Sequence, residues 1–292
     1  MWHRTNGWVW MAALACGILA ALAFGVAASA SMGDDPNTQA RVALREKQLE
    51  RAIELASQTL QADAKNAEAY LIRGMAREQA RQFEQAIADL NRAVELKPTR
   101  PILLQALLHR ATARFRSGAV EDSVKDFEAL LAMNPSARPE LWQYGIALYY
   151  VGRYADGVKL FADHRQVNPE DVENAAWHFL CNAKANDVNK ARAELIPVKR
   201  DDRVPMAEVQ QLLAGKVEPI AVLEAAEAGQ VGKAERTRRR FYANLYLGYY
   251  FEALGESAKA REHIERAVRD YRVSDYMWDV GKVHLDRLTK KR

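Results

Sequence analysis

The sequence predicts an all-α protein, an α-solenoid of stacked helix-turn-helix hairpins. Three observations carry that reading. A small residue recurs at a fixed offset of twelve, in Gly74/Ala86, Ala111/Ser123, Gly145/Gly157 and Gly248/Ala260. Proline follows the second small residue by twelve more positions, at Pro98, Pro135 and Pro169, and the last two prolines lie 34 residues apart. The segments between them are rich in Ala, Leu, Glu, Gln and Arg, which are good helix formers. Backbones of antiparallel helices approach closely only where the crossing residues are small, and proline follows a helix because it cannot continue one. The period therefore implies repeated hairpins, each packing on its neighbours. At 292 residues the chain reads as one continuous array rather than as separate globular domains.

Residues 1–30 follow a different rule. A short head carrying Arg4 precedes an apolar run from Trp8 to Val26 and then Ala28-Ser29-Ala30, the pattern of a secretory signal peptide cleaved after Ala30. The same run is long enough for an uncleaved membrane anchor across residues 8–30. Leu14-Ala15-Cys16 has some of the character of a lipid-attachment site, but the apolar run continues well past the cysteine. Export to the periplasm or cell envelope is the expected localisation. Without the leader only Cys181 remains, so no internal disulfide forms and stability rests on packing.

Residues 31–66 read as a polar lead-in followed by a capping helix over about 38–63, a worn half-repeat. Residues 67–200 hold the repeats. The clearest runs from Ala67 to Arg100, with Tyr70, Gly74, Ala86, Leu90, Ala93 and Pro98 in the packing positions. The second spans about Leu104 to Ala137, after an insertion containing Pro101. The third covers Arg138 to Asp171, with Gly145, Gly157, Phe161 and Pro169. A degenerate fourth, about Val172 to Arg200, keeps Phe179 and Ala191 at the offset, while Pro197 cuts its second helix short. Residues 201–240 form an irregular helical spacer, with helices at Met206 to Leu213 and Pro219 to Ala228 around Gly215. Residues 241–292 carry a last repeat with Gly248, Ala260 and Ala267. A terminal helix, about Ser274 to Leu288, is expected to cap the open end.

The 34-residue period, with Gly, Ala and Pro in these slots, resembles the tetratricopeptide repeat. Within it, Gly145-Ile146-Ala147-Leu148-Tyr149-Tyr150 with Gly152-Arg153, the stretch Asn174 to Ala193, Leu212-Leu213-Ala214-Gly215-Lys216, and Leu247-Gly248-Tyr249-Tyr250 with Leu254-Gly255 resemble the NlpI family of bacterial envelope lipoproteins. The likeness covers about Tyr70 to Leu288, and the order of elements agrees. It implies an all-helical, homodimeric adaptor of the Gram-negative envelope that binds a processing protease and peptidoglycan endopeptidases. That family is lipid-anchored through an N-terminal cysteine, whereas Ala28-Ser29-Ala30 predicts ordinary cleavage here.

In such repeats the first helix of each hairpin lines the concave face, with positions 5, 9 and 12 pointing into the groove. These are Leu71, Met75 and Glu78, then Leu108, Thr112 and Phe115, then Trp142, Ile146 and Tyr149. With neighbouring Tyr150, the third set offers aromatic area with polar tips, suited to anchoring peptides or helices. Net charge is +4, from 42 basic and 38 acidic residues, a mixed surface rather than a nucleic-acid footprint. Arg236, Arg238, Arg239 and Arg240 read as a solvated helix face. His178 and Cys181 sit three apart on a helix with no further ligand at metal spacing, which favours a packed pair over a metal site. No catalytic motif and no cofactor signature is present. The reading is a non-enzymatic scaffold for proteins of the cell envelope; the alternative is a structural subunit of a secretion or outer-membrane assembly.

Overall fold

The computed structural model describes residues 35–290, so the leader and Cys16 lie outside the described residues. The described helices all belong to one compact unit, which begins at Pro36. Among the described residues there is no strand, and no helix is long and apolar enough to cross a membrane.

The helices run as hairpins: α1 (Pro36–Arg45) with α2 (Leu49–Ala62), α3 (Ala67–Gln79) with α4 (Phe83–Glu95), α5 (Arg100–Arg116) with α6 (Val120–Met133), and α7 (Trp142–Tyr150) with α8 (Tyr154–His164). Then come α9 (Val172–Ala185) with the short α10 (Val188–Ala193), α11 (Met206–Leu213), α12 (Pro219–Glu227), α13 (Lys233–Ala253) with α14 (Ser257–Asp270), and α15 (Tyr276–Lys290). First helices also meet their successors, α1 with α3, α3 with α5 and α7 with α9. The line continues from α9 directly to α13, with α11 and α12 also packed on this pair.

Small residues let the hairpins close. A Cβ on Gly74 would lie 2.7 Å from Leu90 Cγ and one on Gly248 2.6 Å from Ile264 Cγ1, while one on Gly157 would lie 2.6 Å from Cys181 Sγ of the next repeat. Ala86, Ala93, Ala260 and Ala267 are fully buried on the opposing helices. Pro98 follows α4, while Pro135 opens a 3-10 turn, Pro135–Glu140, and Pro169 lies in the link before α9.

Four sequence expectations are corrected. Residues 38–63 are two helices, since Lys47 adopts a left-handed turn at φ 60° and splits the segment into a full hairpin. Pro101 lies in the first turn of α5 rather than in an insertion, because the missing N–H of proline is harmless there. The last repeat begins at Lys233, not Phe241, because Arg236 to Arg240 form the opening turns of α13. Finally, α15 does more than cap the end: besides α14 it packs on α5, far back in the array.

Candidate interaction groove

Arg81, in the turn between α3 and α4, starts the site. Five hairpin turns hold a residue with positive φ seven positions after the small residue of the first helix. In three of them it is glycine, Gly118, Gly152 and Gly255, as a left-handed conformation favours. The turn between α3 and α4 instead holds Arg81, at φ 64°. Its Nη1 donates to Asp279 Oδ2 of α15 at 2.9 Å and its Nη2 to Oδ1. Arg116, at the end of α5, donates through Nε to the same Oδ2 at 2.9 Å and through Nη1 to Glu78 Oε1 at 2.9 Å. His109 Nδ1 lies 2.7 Å from the other oxygen of Glu78. Burial would push Glu78 up, but His109 and Arg116 outweigh it and hold the carboxyl below its ordinary value. Asp279 itself is 1% exposed.

An aromatic wall continues from this clamp. Tyr276 stacks on Phe115, with centroids 5.8 Å apart, and meets Trp142 edge-on at 5.0 Å. Tyr150 Oη donates to the Val280 carbonyl at 3.3 Å and sits 3.0 Å from Tyr249 Oη. Arg287 returns a hydrogen bond to the Tyr150 carbonyl. Further along, His284 Nε2 lies 3.2 Å from Glu252 Oε2, and Lys184 Nζ 3.3 Å from Oε1. Burial raises Glu252, yet hydrogen bonding and electrostatic attraction from these two neighbours overcome it and hold the carboxyl down to about 2.

The helix α15 lies against the inner wall. Phe115, Ile146, Tyr149 and Tyr150, expected to face an open groove, are buried. Tyr149 packs edge-on to Trp177 of the next repeat and donates to Glu252 Oε2 at 3.1 Å, and Ile146 belongs to the main core. Trp142 and Met75 are half-buried, Met75 between the two N-terminal apolar clusters. Leu71, Glu78 and Thr112 are buried as well. Sequence reasoning missed Arg81, Arg116 and Asp279. Arg81 had a legible signal, an arginine where other hairpins place glycine. Asp279 interrupts the apolar stripe of Met277, Val280 and Val283.

The other singled-out residues have structural roles. His178 and Cys181 are buried in α9, and burial pushes the imidazole down and the thiol up. Among the described residues no three or more His, Cys, Asp or Glu converge as a metal would require. The basic run of α13 is paired: Arg238 and Arg239 with Glu235, and Arg240 with Glu227.

A model of the tetratricopeptide repeat matches residues 37–101, spanning the first two hairpins. A crystal structure of a tetratricopeptide repeat protein from Parabacteroides merdae superposes over 87% of this chain and 97% of its own, at 15% identity and a TM-score of 0.56. The chain forms a tetratricopeptide-repeat solenoid. YrrB, described as a tetratricopeptide protein with an unusual peptide-binding site, is 15% identical over 65% of this chain and 89% of its own, with a TM-score of 0.49. The SGT1 homolog of Bos taurus is 29% identical over 102 residues, 35% of this chain. The match spans 29% of that relative's length.

Proposed function

We propose that this protein is a non-enzymatic, protein-binding scaffold of the bacterial cell envelope, which holds partner proteins such as proteases or peptidoglycan hydrolases together. One observation carries the binding reading: the inner wall of the solenoid receives a helix, α15, through the Arg81–Arg116 pair on a carboxylate and through Phe115, Trp142 and Tyr150. A wall that presents paired guanidinium groups beside aromatic rings suits recognition of acidic, amphipathic helices. The likeness of residues 70–288 to the NlpI family and the leader read at residues 1–30 support the envelope compartment and a homodimeric state.

The test is affinity capture from an envelope extract with the full chain as bait, partners identified by mass spectrometry and confirmed pairwise with purified proteins. Saturable binding of a protease or peptidoglycan hydrolase supports the adaptor reading. Recovery of subunits of one large secretion or outer-membrane machine alone would replace it with a fixed structural role.

A further inference from the structure

The helix α15 is held by apolar packing together with one buried ion cluster. Its apolar contribution is moderate, from Met277, Val280, Val283 and Leu285. In its first turn Asp279 is pinned by Arg81 and Arg116. Buried ion pairs fix geometry more than they add stability, because the attraction only offsets the water lost by each charge. If α15 leaves, all three groups regain hydration. Tyr276 Oη and His284 Nδ1 are buried with no hydrogen-bond partner among the described residues, and they too gain by exposure to water. The docked state is therefore specific in register and weaker than its buried area suggests.

Arg81 adds an independent observation. Its turn conformation is one in which a side chain is strained and which glycine adopts freely. Lys47 takes the same conformation in the first hairpin with its side chain in solvent, whereas Arg81 is engaged by Asp279 and by the Trp278 ring, 4.9 Å away.

Resting on the protein-binding reading above, we propose that α15 is a resident occupant of a docking surface formed by the α3–α4 turn, α5, α7 and one side of α13, and that a partner binds there by displacing it. The partner presents an amphipathic helix with a carboxylate in the place of Asp279, an aromatic residue three positions earlier and an aliphatic residue one position later, the pattern of Tyr276, Asp279 and Val280. The short tether at residues 271–275 keeps α15 at an effective concentration of millimolar order, so a rival must exceed its contacts. A second copy's α15 offers only identical contacts and does not win at ordinary concentration.

The experiment is hydrogen exchange on the intact protein, followed by binding of a fluorescent peptide of residues 274–290. In the wild type, amides of α15 exchange through an opening that leaves α13 protected. Arg81→Gly, which installs the residue used by three sister turns, accelerates α15 exchange at least tenfold without loss of helix content or of α13 protection. Asp279→Asn, which weakens the resident helix and keeps both Arg81 and Arg116 on the wall, then binds the native peptide, and a peptide carrying Asp279→Lys binds at least tenfold more weakly. Should Arg81→Gly fold poorly, the near-isosteric Asp279→Asn is read the same way. The proposal is overturned if α15 exchanges only together with α13, if neither variant changes its exchange, or if the peptide signal arises from dimers that have swapped α15. Exchange needs no client, so a failed envelope capture alongside a released α15 counts against the adaptor reading and leaves this one standing.

Discussion

Gly145 shows what one missing methyl group decides. A Cβ there would lie 2.6 Å from Phe161 Cζ and 2.8 Å from Leu160 Cδ2, both buried, so neither can retreat. Gly145→Ala should cost about 1–3 kcal/mol, measured by denaturant unfolding; an unchanged midpoint would mean that the hairpin has slack. Glu173 is a second sensitive residue. Arg203 faces three carboxylates, Asp171, Glu173 and Asp201, while Tyr246 Oη donates to Glu173 at 2.9 Å. Burial and the excess of negative charge push Glu173 up to about 7 despite the guanidinium. The folded state then holds a proton that the unfolded state releases above its ordinary value of 4.5, so this group's contribution falls as pH rises from about 4.5 to 7. Glu173→Gln should therefore gain stability relative to the wild type across that window. A difference in melting temperature that stays flat with pH rules this out. Small residues were legible from sequence because the contacts they permit lie twelve to sixteen residues away. The burial of Phe115 and Tyr150 was not, because it depends on a helix more than a hundred residues distant.

At the scale of the element, the hairpins α3–α4 and α5–α6 share a device that α7–α8 and α13–α14 lack. Arg73 and Arg77 of α3 both donate to Asp89 of α4, at 2.6–2.9 Å, and Arg110 and Arg114 of α5 do the same to Asp126 of α6. The aspartates lie three positions beyond Ala86 and Ser123; the same place in the later hairpins holds Leu160 and His263. Each clamp staples a hairpin across its interior, and Asp89→Ala would strand two partly buried guanidinium groups. The expected cost is about 3 kcal/mol or more, compared with Leu160→Ala as an apolar control. A loss below 1 kcal/mol would show that water already serves the arginines. These clamps escaped the sequence reading because a search for small and apolar slots passes over charged ones. Helix ends were the least legible: Pro101 read as part of an insertion and the arginines of α13 as part of the spacer, yet both open helices, the first through a harmless missing N–H and the second through pairs with Glu235.

For the whole molecule, an open solenoid has only neighbour contacts and can melt from its ends. The Arg81–Asp279 bond joins residues 198 positions apart and couples the early repeats to the last helix. Unfolding of the wild type should then be a single transition by both circular dichroism and tryptophan fluorescence, and Arg81→Gly should separate the two curves. Coincident curves in the variant would mean that neighbour contacts alone supply the cooperativity. The all-α class and its repeat were written in the sequence as a period; the return of α15 was not, because nothing periodic encodes a contact made once.

The same return has a consequence in time. Chains are made from the N-terminus, and Arg116 precedes Asp279 by 163 residues. At ordinary synthesis rates that interval is roughly 10–30 s. Throughout it the early repeats can fold with their inner wall bare, and a partner present at that moment meets no competitor. A nascent chain and a finished one thus carry the same early repeats but differ in what those repeats are free to hold.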